Sequence, residues 1–469
     1  MSIATWMAVA AVLAATAPSA ASASAPLPSP SGGAGGETPT SPPTATATPV
    51  VEELTLDAAL AELDRQNLTL VQARDRARAA SAVVTQVASP LVPTVTASGQ
   101  YLRNRDALSI HPGVSIPGLP PVSIAGLPPG GTTIQPLEQF SGTLSVRIPL
   151  VVPTSWYDVS QARGASRAAN ASAEATRLTL RAGFAQAAYS ALASEEVVVA
   201  AEQALTDAAE LTRSAQRRVQ AGTSAPLDTL KARTDEVSRR SDLVAARAAV
   251  DRSRLALGVL LGREGPVRVT APELGPAPAP AGADGRDAPS RRLEVIALKA
   301  QVDSAEAGVR ASWARLAPQL SLSGAAYAAD VPYPTGKKDG WRLTLDLTWQ
   351  LWDGGLQLGK RRQAQAAADE ARAAAEAERL AVLQEVQDAS RDLVVAREQL
   401  DLADQRRALA AETAASARRS FEAGVASSLD VIDANDRLFT AGVNLAAARA
   451  RLAQSSIAVD HALGHDAVR

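Results

Sequence analysis

The sequence predicts a mostly helical chain with a small β part: long antiparallel helices packed in coiled-coil fashion, plus four strands, set out as two structural repeats. Three observations carry this prediction. Residues 217–262 fall on residues 419–464 without a gap, and about fifteen of those 46 positions are identical, which is well above chance even in an Ala-rich chain. Only 3% of the 469 residues are aromatic although 46% are hydrophobic, so much of the apolar content is Ala, the best helix former and a poor core filler. Finally, the hydrophobic period switches from helical to alternating in two separate places, once in each half.

Composition also excludes several classes. A formal net charge of −2, without basic runs interleaved with aromatics, gives no reason to expect nucleic acid as a partner. Cysteine is absent, which removes disulfides, thiolate nucleophiles, Cys-based metal sites and a lipid-modified cysteine.

Taken in order, residues 1–25 read as a signal peptide: an apolar stretch from Met7 to Ala15, then Ala15-Thr16-Ala17 and Ala21-Ser22-Ala23 as candidate cleavage sites. No Lys or Arg precedes the apolar stretch. Residues 26–50, rich in Pro, Ser, Thr, Gly and Ala, read as a linker that cannot pack a core. The first repeat, 51–262, opens with a helix from Leu54 to about Ala88, where Leu56, Leu60, Leu63 and Leu70 recur at helical spacing and Pro90 stops it. A strand pair follows at about 91–103 and 139–151; Leu144, Val146, Ile148 and Leu150 alternate with Thr143, Ser145 and Arg147. The Pro- and Gly-rich stretch between them reads as a long exposed loop. After Pro153 the chain is helical to about Ala221, roughly 100 Å if unbroken, and turns at Gly222 into a second helix. Residues 263–289 read as a linker. The second repeat, 290–464, replays the order: a helix from Leu293, a strand pair at about 318–329 and 340–352, a very long helix to about Ala423, a turn at Gly424 and a last helix. In that helix Val431, Leu438, Leu445, Leu452 and Val459 keep a seven-residue period, the mark of coiled-coil packing. Residues 465–469 are a tail.

The strands have the length that crosses a bilayer when tilted, with one apolar and one polar face. A half-buried soluble sheet alternates in the same way. Here, however, Trp341, Trp349 and Trp352 cluster at the strand ends, where membrane barrels carry aromatic girdles. Four strands cannot close a barrel, and an open edge is not tolerated in lipid. Strands that span a membrane in this chain therefore require oligomerisation.

No catalytic constellation or cofactor motif stands out. His461 and His465 sit four apart, a spacing that can hold a metal on one helix face, but Gly464 at a helix end lies between them. His111 is in the Pro-rich loop. Asp430 and Asp433 lie on the first turns of the last helix, where acidic residues are stabilised by the macrodipole. Gly222 and Gly424 suit turns that need positive φ.

The order of elements, the internal repeat and the segment from Phe421 to Ala434, F-E-A-G-V-A-S-S-L-D-V-I-D-A, resemble the TolC-like outer-membrane efflux proteins over nearly everything from Leu54 to Gly464. The resemblance implies a homotrimer in the outer membrane, each chain giving four strands to one shared β-barrel and its long helices to a periplasmic tunnel with a closable tip. It implies that Asp430 and Asp433 ring the tunnel constriction as a cation-sensitive gate, that Asp228 bonds across to a neighbouring helix, and that the turns at Gly222 and Gly424 meet a periplasmic adaptor serving an inner-membrane pump. Phe421 stands where the family has a Tyr, and Ala426 where it has an Arg. Without those polar partners, closure would rest on other pairs, such as Arg419 with Glu422. The implied function is a passive export conduit for drugs, metals or proteins, and no enzyme. The competing class is a periplasmic coiled-coil adaptor or scaffold without a barrel, which leaves the Trp-rich strands and the duplication unexplained.

Overall fold

The computed structural model describes residues 52–110, 132–271, 283–333 and 337–466. The expected signal peptide and the linker at 26–50 lie outside them, as does His111. In chain order the elements are β1 (Glu52–Thr55), α1 (Leu56–Gln66), α2 (Leu68–Ala88), β2 (Thr94–Arg103), β3 (Leu108–Ile110), β4 (Thr132–Gln135), β5 (Glu138–Val151), α3 (Pro153–Gln220), α4 (Pro226–Leu260), β6 (Val267–Thr270), α5 (Ala288–Arg291), α6 (Leu293–Ala314), β7 (Gln319–Ala329), β8 (Asp339–Thr348), α7 (Leu356–Glu422) and α8 (Ser428–Ala462).

Helices α3 and α7 run for 68 and 67 residues, each on the order of 100 Å. Pro153 and Pro226 open α3 and α4, at the position where a missing N–H costs nothing. The helices form a layer in which α3 packs on α4, α6, α8 and α2, while α7 packs on α6 and α8. Ala dominates the buried positions, so backbones approach closely. The largest apolar cluster, with Leu56, Leu60, Leu63, Phe184, Leu257 and Leu261, joins α1 to the middle of α3 and the end of α4. No described helix is long and apolar enough to cross a membrane.

Several local features depart from the expected elements; within the stretch read as a long loop, β3 pairs with β4, Leu108 with Gln135. The first helix is broken at Asn67. Its side chain caps α2 by accepting from the Leu70 N–H at 3.0 Å and donates to the Leu260 carbonyl at 2.8 Å. Local capping thus overrides the continuous apolar period. The stretch at 263–289 contains β6, which pairs in parallel with β1, Glu52 to Val267 through Thr55 to Thr270.

The main sheet has the order β2-β5-β7-β8, antiparallel throughout. Strand β8 ends at Thr348, opposite Gln319, short of the expected 352. Pro318 precedes its partner and has no N–H to extend the ladder. Trp349 instead donates its indole N–H to the Leu316 carbonyl at 3.0 Å. Asp353 then accepts from the N–H groups of Gly355 and Gln357 to start α7.

Candidate functional site

Register sorts the sheet into two faces, because residues directly opposite in antiparallel strands point the same way. Val95, Val146, Gly324 and Leu343 form one row; Ala97, Leu144, Ala326 and Trp341 form the next; Ile148, Leu322 and Leu345 form another. All are apolar. The rows between them read Thr94, Arg147, Ser323, Thr344 and Thr96, Ser145, Ala325, Arg342. On this polar face Arg147 donates to Ser321 Oγ at 3.3 Å, and Ser323 donates to Asp346 at 3.0 Å. The apolar face is open: Leu343, Leu345 and Leu347 are each more than 60% exposed.

Aromatic residues bracket that face. Trp341 lies toward the loop end with Tyr101 and Phe140, whose rings are 4.7 Å apart. Trp349 and Trp352 lie at the helix end, also exposed. Eight residues separate Trp341 from Trp349, about 26 Å along an extended strand, which is close to the height of a barrel's apolar band. Sequence reading missed two further members. Trp156 at the start of α3 and Trp313 at the end of α6 are exposed at the same end of the sheet. Both sit in helical runs where an aromatic reads as ordinary packing.

At the far ends of the helices, Gly222 and Gly424 hold φ of +71° and +80°, so each turn uses the left-handed region that glycine supplies. Around them the expected site residues divide. Asp228 accepts from the hydroxyls of Ser224 and, at 2.8 Å, Ser428, so it bonds from α4 to the start of α8. Those two hydroxyls, Ser224 first, hold its carboxyl below the usual range. Asp430 closes on its own helix instead: it accepts from Ser427 N and Ser427 Oγ, both at 2.8 Å, while Ser427 Oγ accepts from the Asp430 N–H. This is a reciprocal cap, and the Ser427 backbone N–H lowers the Asp430 carboxyl. Asp433 is exposed and paired with Arg437 at 2.9 Å.

Phe421 is 3% exposed in an apolar cluster with Leu211, Ala215, Ala232 and Val431. Arg218, at the end of α3, lies over its ring at 4.8 Å and donates to the Phe421 carbonyl. A cation thus meets the C-terminal end of α7, where it is favoured. The pair suggested by the sequence, Arg419 with Glu422, does not form among the described residues. Arg418 instead bridges α7 to Asp207 at 2.7 Å and Glu210 at 3.2 Å on α3. Higher up, Arg239 of α4 is buried and reaches Asp235 at 3.2 Å, Asp242 at 3.3 Å and, on α8, Asp436 at 2.8 Å. Burial raises the Asp235 carboxyl despite Arg239 beside it. Sequence reading missed Arg218, Arg239 and Asp436, because charged residues on a helix read as a solvated face. The available clue was that Ala232, Asp235, Arg239, Leu243, Ala246 and Val250, all buried, keep coiled-coil spacing.

Both histidines lie beside charged side chains. His461 Nδ1 lies 3.5 Å from Glu385, and its backbone carbonyl accepts from buried Arg292 at 3.0 Å. His465 lies 3.4 Å from Arg291. No grouping of described residues has the arrangement to hold a metal ion.

Comparison with known proteins agrees with this architecture. The chain is 28% identical over 305 residues to the cobalt-zinc-cadmium resistance protein CzcC of Cupriavidus metallidurans, covering 63% of this chain and 70% of that one. It superposes on the structure of CusC with a TM-score of 0.74 at 18% identity, covering 88% of this chain and 92% of that one. For the outer membrane protein VceC of Vibrio cholerae the TM-score is 0.71 at 18% identity, with 87% and 96% covered. The profile of the outer membrane efflux proteins matches residues 59–263 and 286–465, most of the chain. The chain belongs to the outer membrane efflux protein family.

Proposed function

We propose that three copies of this chain form a passive outer-membrane efflux conduit, a shared β-barrel continued by a helical tunnel, and that Asp430 and Asp433 set its selectivity at the tip. The observation that carries the reading is the four-stranded, two-faced sheet with both edges open. Strands β2 and β8 run in opposite directions, so β8 of one copy meets β2 of the next as an antiparallel pair. Three copies then close twelve strands, a size within the range of membrane barrels. The helical layer has matching edges. Within each copy the lower helices lie in the order α4, α3, α8, α7. On α4, Leu230, Val237 and Val244 form an exposed seven-residue stripe; on α7, Val395, Leu402 and Leu409 form another. Such stripes pair between helices when chains assemble.

At the tip, each copy offers Asp430 and Asp433, the latter offset by Arg437. Exposed pairs are weak, so the ring keeps a negative potential that favours cations. CzcC is named for cobalt, zinc and cadmium resistance, and metal cations are a cargo class consistent with that ring. The turns at Gly222 and Gly424 face outward from the tip and suit contact with an adaptor that couples the conduit to an inner-membrane pump. The chain itself supplies no chemistry.

The test is conductance in planar bilayers, wild type against Asp430→Ala/Asp433→Ala. Stable channels whose cation preference falls in the double variant support conduit and ring together. Channels with unchanged selectivity keep the conduit and reduce the two aspartates to cap and surface pair. Folded protein that makes no channel overturns the reading.

A further inference from the structure

We infer that the helix end of the sheet carries a surface for the phosphate headgroups of anionic phospholipids, built from Trp313, Trp349, Trp352, Lys360, Arg361 and Arg362. The inference rests on the membrane reading of the sheet and adds a lipid class to it. These residues share one end of the molecule because α6 leads directly into β7 and β8 leads directly into α7. Trp352 is 83% exposed and lies just past the end of β8. Arg361 lies over the Trp313 ring at 4.3 Å, which orients its guanidinium without neutralising it. Lys360 and Arg362 are exposed, and none of the three cations forms an ion pair among the described residues.

Neither acid named at this end forms an ion pair with the three cations. Asp353 spends its oxygens on the N–H groups of Gly355 and Gln357. Asp158 is half-buried on α3, and the opposing charge that acts on it is Arg315 rather than any of the three cations. Three adjacent cations are therefore left uncompensated, directly beneath a tryptophan belt.

Depth decides what compensates them. Lys360 to Arg362 lie four to six residues into α7, about 6–9 Å along its axis. The headgroup zone beyond the hydrocarbon is about 5–8 Å thick on each side. The tryptophans thus mark the edge of the hydrocarbon, and the cations fall at phosphate level. Arginine is the side chain best matched to phosphate oxygens, and continuity with the lipid-facing sheet supplies the occupant.

The test uses the full chain reconstituted in vesicles of equimolar phosphatidylcholine and phosphatidylglycerol, then extracted gently, with retained lipid counted by native mass spectrometry. Wild type is expected to retain phosphatidylglycerol over phosphatidylcholine by about fivefold or more, since each surface cation contributes roughly that factor. In Lys360→Gln/Arg361→Gln/Arg362→Gln the ratio is expected to fall close to one with assembly unchanged. Equal retention by wild type, or full enrichment in the triple variant, overturns the inference. If the triple variant fails to assemble, Arg362→Gln alone must lower the ratio; no change there overturns the inference in favour of a contact between copies. Flotation separates the two levels of failure. Wild type that does not float with phosphatidylcholine vesicles sinks the membrane reading itself, whereas wild type that floats without lipid preference sinks only the headgroup surface.

Discussion

The two turns at the tip come from one repeated sequence and use it differently. Asp228 and Asp430 are repeat-mates, yet Asp228 reaches Ser428 on another helix and Asp430 folds back on Ser427 of its own. The neighbouring residue explains the split. The second repeat has a serine at the cap position, Ser427, which takes the carboxylate; the first has Ala225 there, and Asp228 accepts instead from the hydroxyls of Ser224 and Ser428. The same divergence recurs at two other matched positions. Phe421 is buried where its mate Val219 is half-buried, and Arg239 holds a buried ionic cluster where its mate is Ala441. Duplication supplies the helix-turn-helix frame, and a few mismatched positions tie one hairpin to the other.

The largest effect is expected from truncating each member of the Phe421–Val219 mismatch. Phe421→Ala is expected to cost about 3–4 kcal/mol, since it opens a cavity in the tip cluster and leaves Arg218 without its ring. Val219→Ala, half-exposed, should cost less than about 1.5 kcal/mol on the same reasoning. Denaturant midpoints of the assembled protein, read together with leak conductance, check both. Equal costs would mean that the two hairpins are interchangeable.

Next in size is Arg239→Ala. Removing the guanidinium strands Asp235 in the seam and cuts the tie to Asp436; breaking a buried pair from one side costs about 3 kcal/mol. Asp235→Ala/Arg239→Ala should recover much of that loss, because no buried charge remains. A double variant as unstable as the single would place the cost in lost packing against Phe439, over which Arg239 lies at 5.4 Å.

The elements were legible in the sequence wherever period and length were both strong. The 68- and 67-residue helices, the alternating strands and the Gly turns follow from local pattern alone. What escaped was set by single side chains or by distance. Asn67 breaks a helix whose apolar spacing continues through it, and the four-residue strands β1 and β6 are too short to carry a period. Within the tip, Asp228, Asp430 and both glycines stood out because the repeat aligned them, and Phe421 because of the family resemblance. Arg218 did not, because its partner lies 203 residues away and only the packing of α3 on α8 and α4 on α8 brings the two hairpins into register.

The smallest effect separates tie from cap most cleanly, because it depends on pH alone. Asp228 has a folded pKa below its unfolded value, so its stabilisation is fully present above the unfolded pKa of about 3.9 and is lost as pH falls through the folded value. Asp430 is shifted in the same direction and loses its contribution in the same acid range. Their consequences differ: protonating Asp228 releases α8 from α4, whereas protonating Asp430 only frays the first turn of α8. Conductance of wild type should therefore stay level from neutral pH to about 4 and rise below it. Asp430→Asn should leave that rise in place, shifting stability only slightly. Asp228→Asn should raise conductance at neutral pH and remove the acid step. Asp235 acts in the opposite sense, since burial raises its pKa: its contribution is present below the unfolded value and is lost as pH rises through the folded one. An acid rise that survives in Asp228→Asn would place the latch at another carboxylate of the tip, and not at Asp235, whose contribution is present in acid.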